Sequence, residues 1–299
     1  MWTDTLASAQ LTAAAAWVVA TYAIQFGPSA HAQRTIAFGL VAWFFAVTFT
    51  GASGFLTDFL MFDVPGVGYL VGIPIATLTT LLLSTQEGRR RVDRASMSAI
   101  ISVQFLRVPG FCFIILRSAD RLPAPFAPVA GWGDILAGIL AVPTMSINNK
   151  EELNTFAVLI WNIIGAADLF TAVSLGLLSF PGPLQIFTGL PNSVPMMTMP
   201  WIIIAGFLVP TLISLHIVVF YRMFSTPSKR NQGSSQLLKK HWRLFFSLVL
   251  LVVFSKALVA TWLISSECSL LYTLQSWFLS APDTAGDVDG REHLRHQRQ

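Results

Sequence analysis

Eight stretches of the chain run apolar for about 20 residues each, the length an α-helix needs to cross the roughly 30 Å hydrocarbon core of a bilayer. They fall at 6–26, 35–57, 64–84, 97–116, 127–147, 155–179, 198–221 and 244–265. A soluble globule with this sequence would lack a surface: only 11% of its 299 residues are charged, against roughly 25% in soluble domains. The expected fold class is therefore all-α, a polytopic integral membrane helix bundle of seven or eight transmembrane helices. Residues 1–265 would form the bundle. The segment 244–265 is the open case, because an amphipathic or re-entrant course there would remove one crossing. Residues 266–299 turn polar and read as a disordered tail.

Orientation follows from the basic residues in alternate linkers. One set holds twelve Lys and Arg, concentrated at Arg89, Arg90, Arg91 and Arg94 and at 222–243; the other holds only Arg117 and Arg121. That bias places the N-terminus outside and loops 85–96 and 222–243 in the cytoplasm. It also accounts for the net charge of +4 without nucleic acid: the basic residues flank apolar segments and form no separate basic stripe with exposed aromatics. Residues 11–24 followed by Ala30-His31-Ala32 imitate a cleavable signal. Asp4 and the absence of Lys or Arg before Gln10 favour an uncleaved first helix.

Small residues mark the helices at Gly51-Ala52-Ser53-Gly54, at Gly131, Gly133 and Gly138, and at Gly165-Ala166-Ala167. Membrane helices pack through such positions because backbones approach closely there. No GxGxxG follows a strand-like segment, so a dinucleotide site is not expected. Cys112 and Cys268 have no metal-ligand or redox spacing; Cys112 is expected as a buried structural thiol, and no cofactor or metal is implied. The linker 180–197 carries four prolines and no charge, and reads as a surface loop in preference to a lid or a re-entrant segment.

Four charged residues fall inside the expected spans: Arg107, Asp134, Asp168 and Lys256. An ionisable group at membrane depth is costly, and is a functional hypothesis by default. At about 1.5 Å per residue, Asp134, Asp168 and Lys256 lie roughly 10, 16 and 14 Å below the outer surface. Arg107 sits mid-span with a side chain long enough to reach outward. Two acids and two bases at overlapping depths are expected to form one compensated cluster, which either clamps helices in register or lines a pathway. His216 and Asn162 are secondary candidates; His216, five residues from the inner end of 198–221, is expected at the cytoplasmic interface. Pro210 is expected to kink its helix. The runs Gly131-Trp132-Gly133-Asp134 and Gly165-Ala166-Ala167-Asp168 share a pattern that either an inverted duplication or chance would produce.

From Arg107 to His216 the chain resembles a group of bacterial multi-spanning membrane proteins of unassigned function. Arg107, Gly110, Leu122-Pro123, Phe126-Ala127, Gly131 and Gly133-Asp134 carry the likeness. It continues through Trp161-Asn162, Gly165, Asp168, Pro181-Gly182-Pro183-Leu184, Phe207-Leu208-Val209-Pro210 and His216. The resemblance implies a bacterial inner membrane location and is silent on chemistry. No recognisable signature stands before Met97 or after Arg222.

Among functions, movement of a small solute or proton through a polar cavity lined by the four charges is expected first. A non-catalytic membrane subunit is the alternative. An enzyme acting on a lipid-soluble substrate has less support, since no diphosphate, zinc-protease or serine-elbow pattern is present. A Schiff base on Lys256 lacks an acid one turn earlier.

Overall fold

The computed structural model describes residues 2–57, 60–61, 64–148 and 155–225. Segment 244–265, Lys256, Cys268 and the tail at 266–299 lie outside them. Among the described residues, seven helical stretches are long and apolar enough to cross a membrane, and the chain is a multi-pass membrane protein with an all-α fold. The helices are α1 (Trp2–Phe26), α2 (Ala30–Ser53), α3 (Gly66–Leu83), α4 (Gln86–Arg94), α5 (Met97–Val103), α6 (Phe111–Ser118), α7 (Ala127–Asn148), α8 (Thr155–Leu178) and α9 (Val209–Ser225). A two-residue antiparallel pairing, Leu60 opposite Pro65 and Met61 opposite Val64, closes the turn between α2 and α3.

Sequence spacing sets which face each helix buries. In α1, Ala7, Leu11, Ala14, Val18, Tyr22 and Phe26 recur every three or four residues and are buried as one stripe, while Leu6, Trp17 and Ile24 stay exposed, as suits side chains in lipid. Ser29 caps α2 by accepting from the Ala32 amide. Gly54 ends that helix at φ +69°, a left-handed conformation that glycine adopts without a Cβ penalty. Within the GASG run, then, Gly54 terminates the helix. Gly51 alone provides the expected close approach, for a Cβ there would fall 2.4 Å from Ile202 Cγ2.

Two crossings are interrupted. Between α5 and α6 the chain tightens into a 3₁₀ turn over Gln104–Gly110, with Pro109 inside it. Ahead of α9 it widens into a π turn over Ile204–Leu208. Proline has no N–H and crowds the carbonyl four residues earlier. For Pro210 that carbonyl belongs to Gly206, and the wider turn moves it aside. The helix ending at Ser225 therefore begins at 204, where hydropathy suggested 198. The Thr211 hydroxyl lies 2.9 and 2.8 Å from the Phe207 and Leu208 carbonyls, and Gln104 Nε2 donates to Leu212 O at 3.2 Å. Backbone groups at the interruption are thus met by side chains, as a bilayer requires.

Burial is graded across the bundle. In the apolar window of α9, 78% of residues are buried, against 56% in α8, 17% in α2 and 11% in α3. On one face, Arg121 bonds Asp4 at 2.9 Å. On the other, the Ser96 amide donates to Gln25 Oε1 at 2.8 Å, and Arg222 donates to Ala95 O. Residues 179–203, which include the 180–197 linker expected as a surface loop, fold back over the helix ends. Ile186 and Phe187 amides bond Leu178 O, Ser193 Oγ donates to Gly176 O at 2.7 Å, and Phe180, Met196, Met197 and Trp201 are buried.

Candidate functional site

The site exists because α7 comes very close to the 3₁₀ turn. Ala127, Ala130, Gly131, Ala137, Gly138 and Ala141 form a small-residue stripe along α7, buried throughout. A Cβ on Gly138 would fall 2.9 Å from the Val108 backbone nitrogen, and one on Gly131 3.0 Å from Gly110 O. Gly110 returns the clearance: its Cβ would lie 2.5 Å from Asp134 Cβ. Backbone contact at this range brings Asp134 beside Arg107, which the 3₁₀ turn presents inward.

Arg107 is 3% exposed. Its Nε donates to Asp134 Oδ1 at 2.7 Å, and its Nη2 donates to Asp168 Oδ2 on α8. Nη1 donates to Gly165 O at 3.1 Å and lies 3.4 Å from His216 Nε2 on α9. One guanidinium thereby joins the 3₁₀ turn to α7, α8 and α9. Such a buried ion pair is sustainable only when the attraction is reinforced by further hydrogen bonds; the fork of five donors makes arginine suited to this.

His216 was expected at the cytoplasmic interface and is instead in the interior, 1% exposed. Because α9 continues to Ser225, His216 lies about 14 Å from its inner end. The ring is fixed from several sides. His216 Nδ1 is 2.7 Å from Asn162 Oδ1, and Asn162 Nδ2 donates to the His216 carbonyl at 3.1 Å. Trp161 packs against the imidazole with ring centroids 5.3 Å apart and donates its own Nε1–H to Ala137 O at 3.1 Å. Since Arg107 can only donate, His216 Nε2 faces it as an acceptor. Nδ1 then carries the proton and donates to Asn162, whose amide orientation is consistent with its other bond.

Gly165 explains how the imidazole and guanidinium fit together. A Cβ there would fall 2.5 Å from His216 Cε1, 2.9 Å from Nε2 and 3.1 Å from Arg107 Nη1. Gly131 and Gly165, each three residues before an aspartate, thus leave clearance for the Arg107 turn and for the Arg107–His216 pair respectively. The shared glycine-aspartate spacing has a common steric use here.

Arg107, Asp134 and Asp168 therefore meet, with His216 and Asn162 adjoining; Lys256 is outside the described residues. The side chain of Asp168 is 0% exposed and that of Asp134 13%. Asp134 stands on two cavities of about 60 and 50 Å³. The first is walled by apolar side chains such as Val71, Phe126, Leu169 and Val209, and roofed by Phe180, Met196 and Met197 from the folded-back 179–203 segment. The second also touches Arg107 and runs beside Gln10 and Cys112. Their walls are chiefly apolar, not the polar cavity the charges suggested. Cys112 is half-buried, less enclosed than expected. Among the described residues no group of His, Cys, Asp and Glu is arranged to hold a metal ion.

The profile of one protein family, described as a domain of unknown function (DUF8737), matches residues 64–224. That is more than half of the chain, and the chain belongs to this uncharacterised family. The match takes in every residue that carried the resemblance, from Arg107 to His216, and extends upstream to Val64, where no signature was legible. No curated protein and no solved structure matches the chain.

Proposed function

We propose that this member of the DUF8737 family is a bacterial inner membrane protein that moves protons through the Arg107–Asp134–Asp168 cluster. One observation carries the reading: Asp134 is bonded to a fully buried guanidinium on one side and borders two small cavities on the other. A carboxylate in that position exchanges a proton when water reaches it, while Arg107 and Asp168 behind it hold compensating charge. Cavity size selects the proton over a solute. About 60 Å³ accommodates about two waters at roughly 30 Å³ each, and falls well below the roughly 300 Å³ of ordinary small-molecule sites. The 3₁₀ turn beside Arg107 and the π turn that opens the His216 helix also support it, since such interruptions concentrate at functional sites in helices.

The test uses purified protein in liposomes loaded with a pH-sensitive dye, driven by a potassium diffusion potential. Wild type acidifies the lumen. Asp134→Asn and Asp168→Asn abolish the signal while eluting from size exclusion as wild type does. Normal proton flux in both neutral variants refutes the proposal.

A second reading, a non-catalytic subunit whose cluster only fixes helix register, draws on the near-complete burial of Arg107 between two carboxylates. It predicts no flux in wild type and loss of a stoichiometric partner complex when the clamp is cut.

A further inference from the structure

A further cavity of the described bundle is remote from the charge cluster. It holds about 600 Å³ between α1, α2, α3 and α4. Tyr22, Phe26, Leu40, Trp43, Pro74 and Leu78 line its greasy part, and Arg91 of α4 lines its end. We propose that this groove holds one anionic phospholipid of the cytoplasmic leaflet, with an acyl chain between α2 and α3 and the phosphate at Arg91.

Depth is the first argument. Along α2 the lining runs from Thr35 to Trp43, and along α3 from Ile73 to Leu82. At about 1.5 Å per residue these are roughly 12 and 14 Å. That is close to half of the roughly 30 Å hydrocarbon core, hence one leaflet. A spanning helix such as 244–265 would need twice that depth, whereas an acyl chain needs no more. The volume lies within the roughly 300–1,000 Å³ of ligand sites.

Charge is the second argument. Loop 84–96 belongs to the basic set that marks the cytoplasmic side, and α4 carries Arg89, Arg90, Arg91 and Arg94 against Glu87 and Asp93. Arg89 is engaged, donating to Leu83 O and Ser84 O. Arg91 bonds Glu87 through Nε at 3.2 Å, with its side chain one-third exposed, and it lines the end of the groove. A phosphate at Arg91, at the end of the groove beside the basic helix α4, sits where basic clusters attract anionic headgroups.

Gly39 lines the groove, and a Cβ built on it meets nothing within 4 Å. This supplies the test: Gly39→Leu fills the groove, and Arg91→Gln removes the phosphate contact together with the exposed pair to Glu87. Each protein is purified in mild detergent, incubated with dioleoyl phosphatidylglycerol or dioleoyl phosphatidylcholine, and weighed by native mass spectrometry. Wild type is expected to retain one phosphatidylglycerol, with at least tenfold preference over phosphatidylcholine. Arg91→Gln loses the preference, and Gly39→Leu loses the bound lipid, both with unchanged elution and helicity. The proposal is overturned if Gly39→Leu retains lipid, or if wild type binds both lipids equally. It is also overturned if cysteines at 39 and within 244–265 cross-link in membranes, which would give the groove to the chain itself.

Discussion

Replacing Arg107 by methionine keeps a long unbranched side chain and deletes the cation. In the native bundle that cation is bonded to Asp134, Asp168 and the Gly165 carbonyl. Its removal strands Asp168, which is 0% exposed, and breaking a buried pair from one side costs about 3–5 kcal/mol. Asp168→Asn is milder, because Arg107 retains Asp134 and the asparagine still accepts a hydrogen bond. The loss there is that of one bond to a charged group, about 1.5–3 kcal/mol. Asp134→Asn should cost least, near the roughly 1.5 kcal/mol end of that range, since that side chain is 13% exposed and borders cavities. Replacing all three charges by apolar side chains, Arg107→Met with Asp134→Leu and Asp168→Leu, should recover part of the single-variant loss, because no charge is then left unpaired. SDS-driven unfolding in mixed micelles, followed by helicity, measures the order. A loss of 3 kcal/mol is about two decades in the unfolding constant. If Arg107→Met is no worse than Asp168→Asn, or if the triple variant is as unstable as Arg107→Met, the guanidinium is not the hub described above.

Other consequences are accessible to simple measurements. Gly165→Ala forces a methyl into the His216 ring and should destabilise by about 1–3 kcal/mol, with a change in emission of Trp161, which packs against that ring at a tilt. Asn162→Leu leaves the His216 ring donor and carbonyl without their bonds and should cost about 1–3 kcal/mol; an unchanged melting midpoint would contradict the assigned tautomer and its network. Arg121→Ala removes an ion pair whose side chains are 37% and 36% exposed, so the effect should stay within about 1 kcal/mol and shrink in high salt. In a background without Cys112 and Cys268, cysteines at 4 and 121 should label from one side of a sealed vesicle and cysteines at 25 and 96 from the other. Labelling of 4 and 121 from opposite sides would refute the topology.

The charged residues at membrane depth were legible because they stand out against apolar windows, and Arg107, Asp134 and Asp168 do converge. What the windows concealed was geometry. His216 was placed near an interface because its helix was taken to end at 221, whereas it runs to Ser225. The interruption at 204–208 was only half legible, through Pro210, since a proline does not specify whether the turn tightens or widens; the one at 104–110 was not anticipated. Asn162 carried no signal beyond its place in the resemblance, because an asparagine's partners lie on another helix. The 180–197 linker looked like a surface loop for want of charge and abundance of proline, and neither property reveals that Met196 and Met197 are buried.

A bilayer acts on each helix separately, so a window of about 20 residues suffices to decide class and approximate crossings; those were properties of the sequence alone. Which side chains meet is decided by rotation and crossing of helices that are distant in sequence, and here by backbone contact at Gly110, Gly131, Gly138 and Gly165. That is why the pairing of Arg107 with two aspartates and a histidine, and the groove between α2 and α3, belong to the tertiary structure.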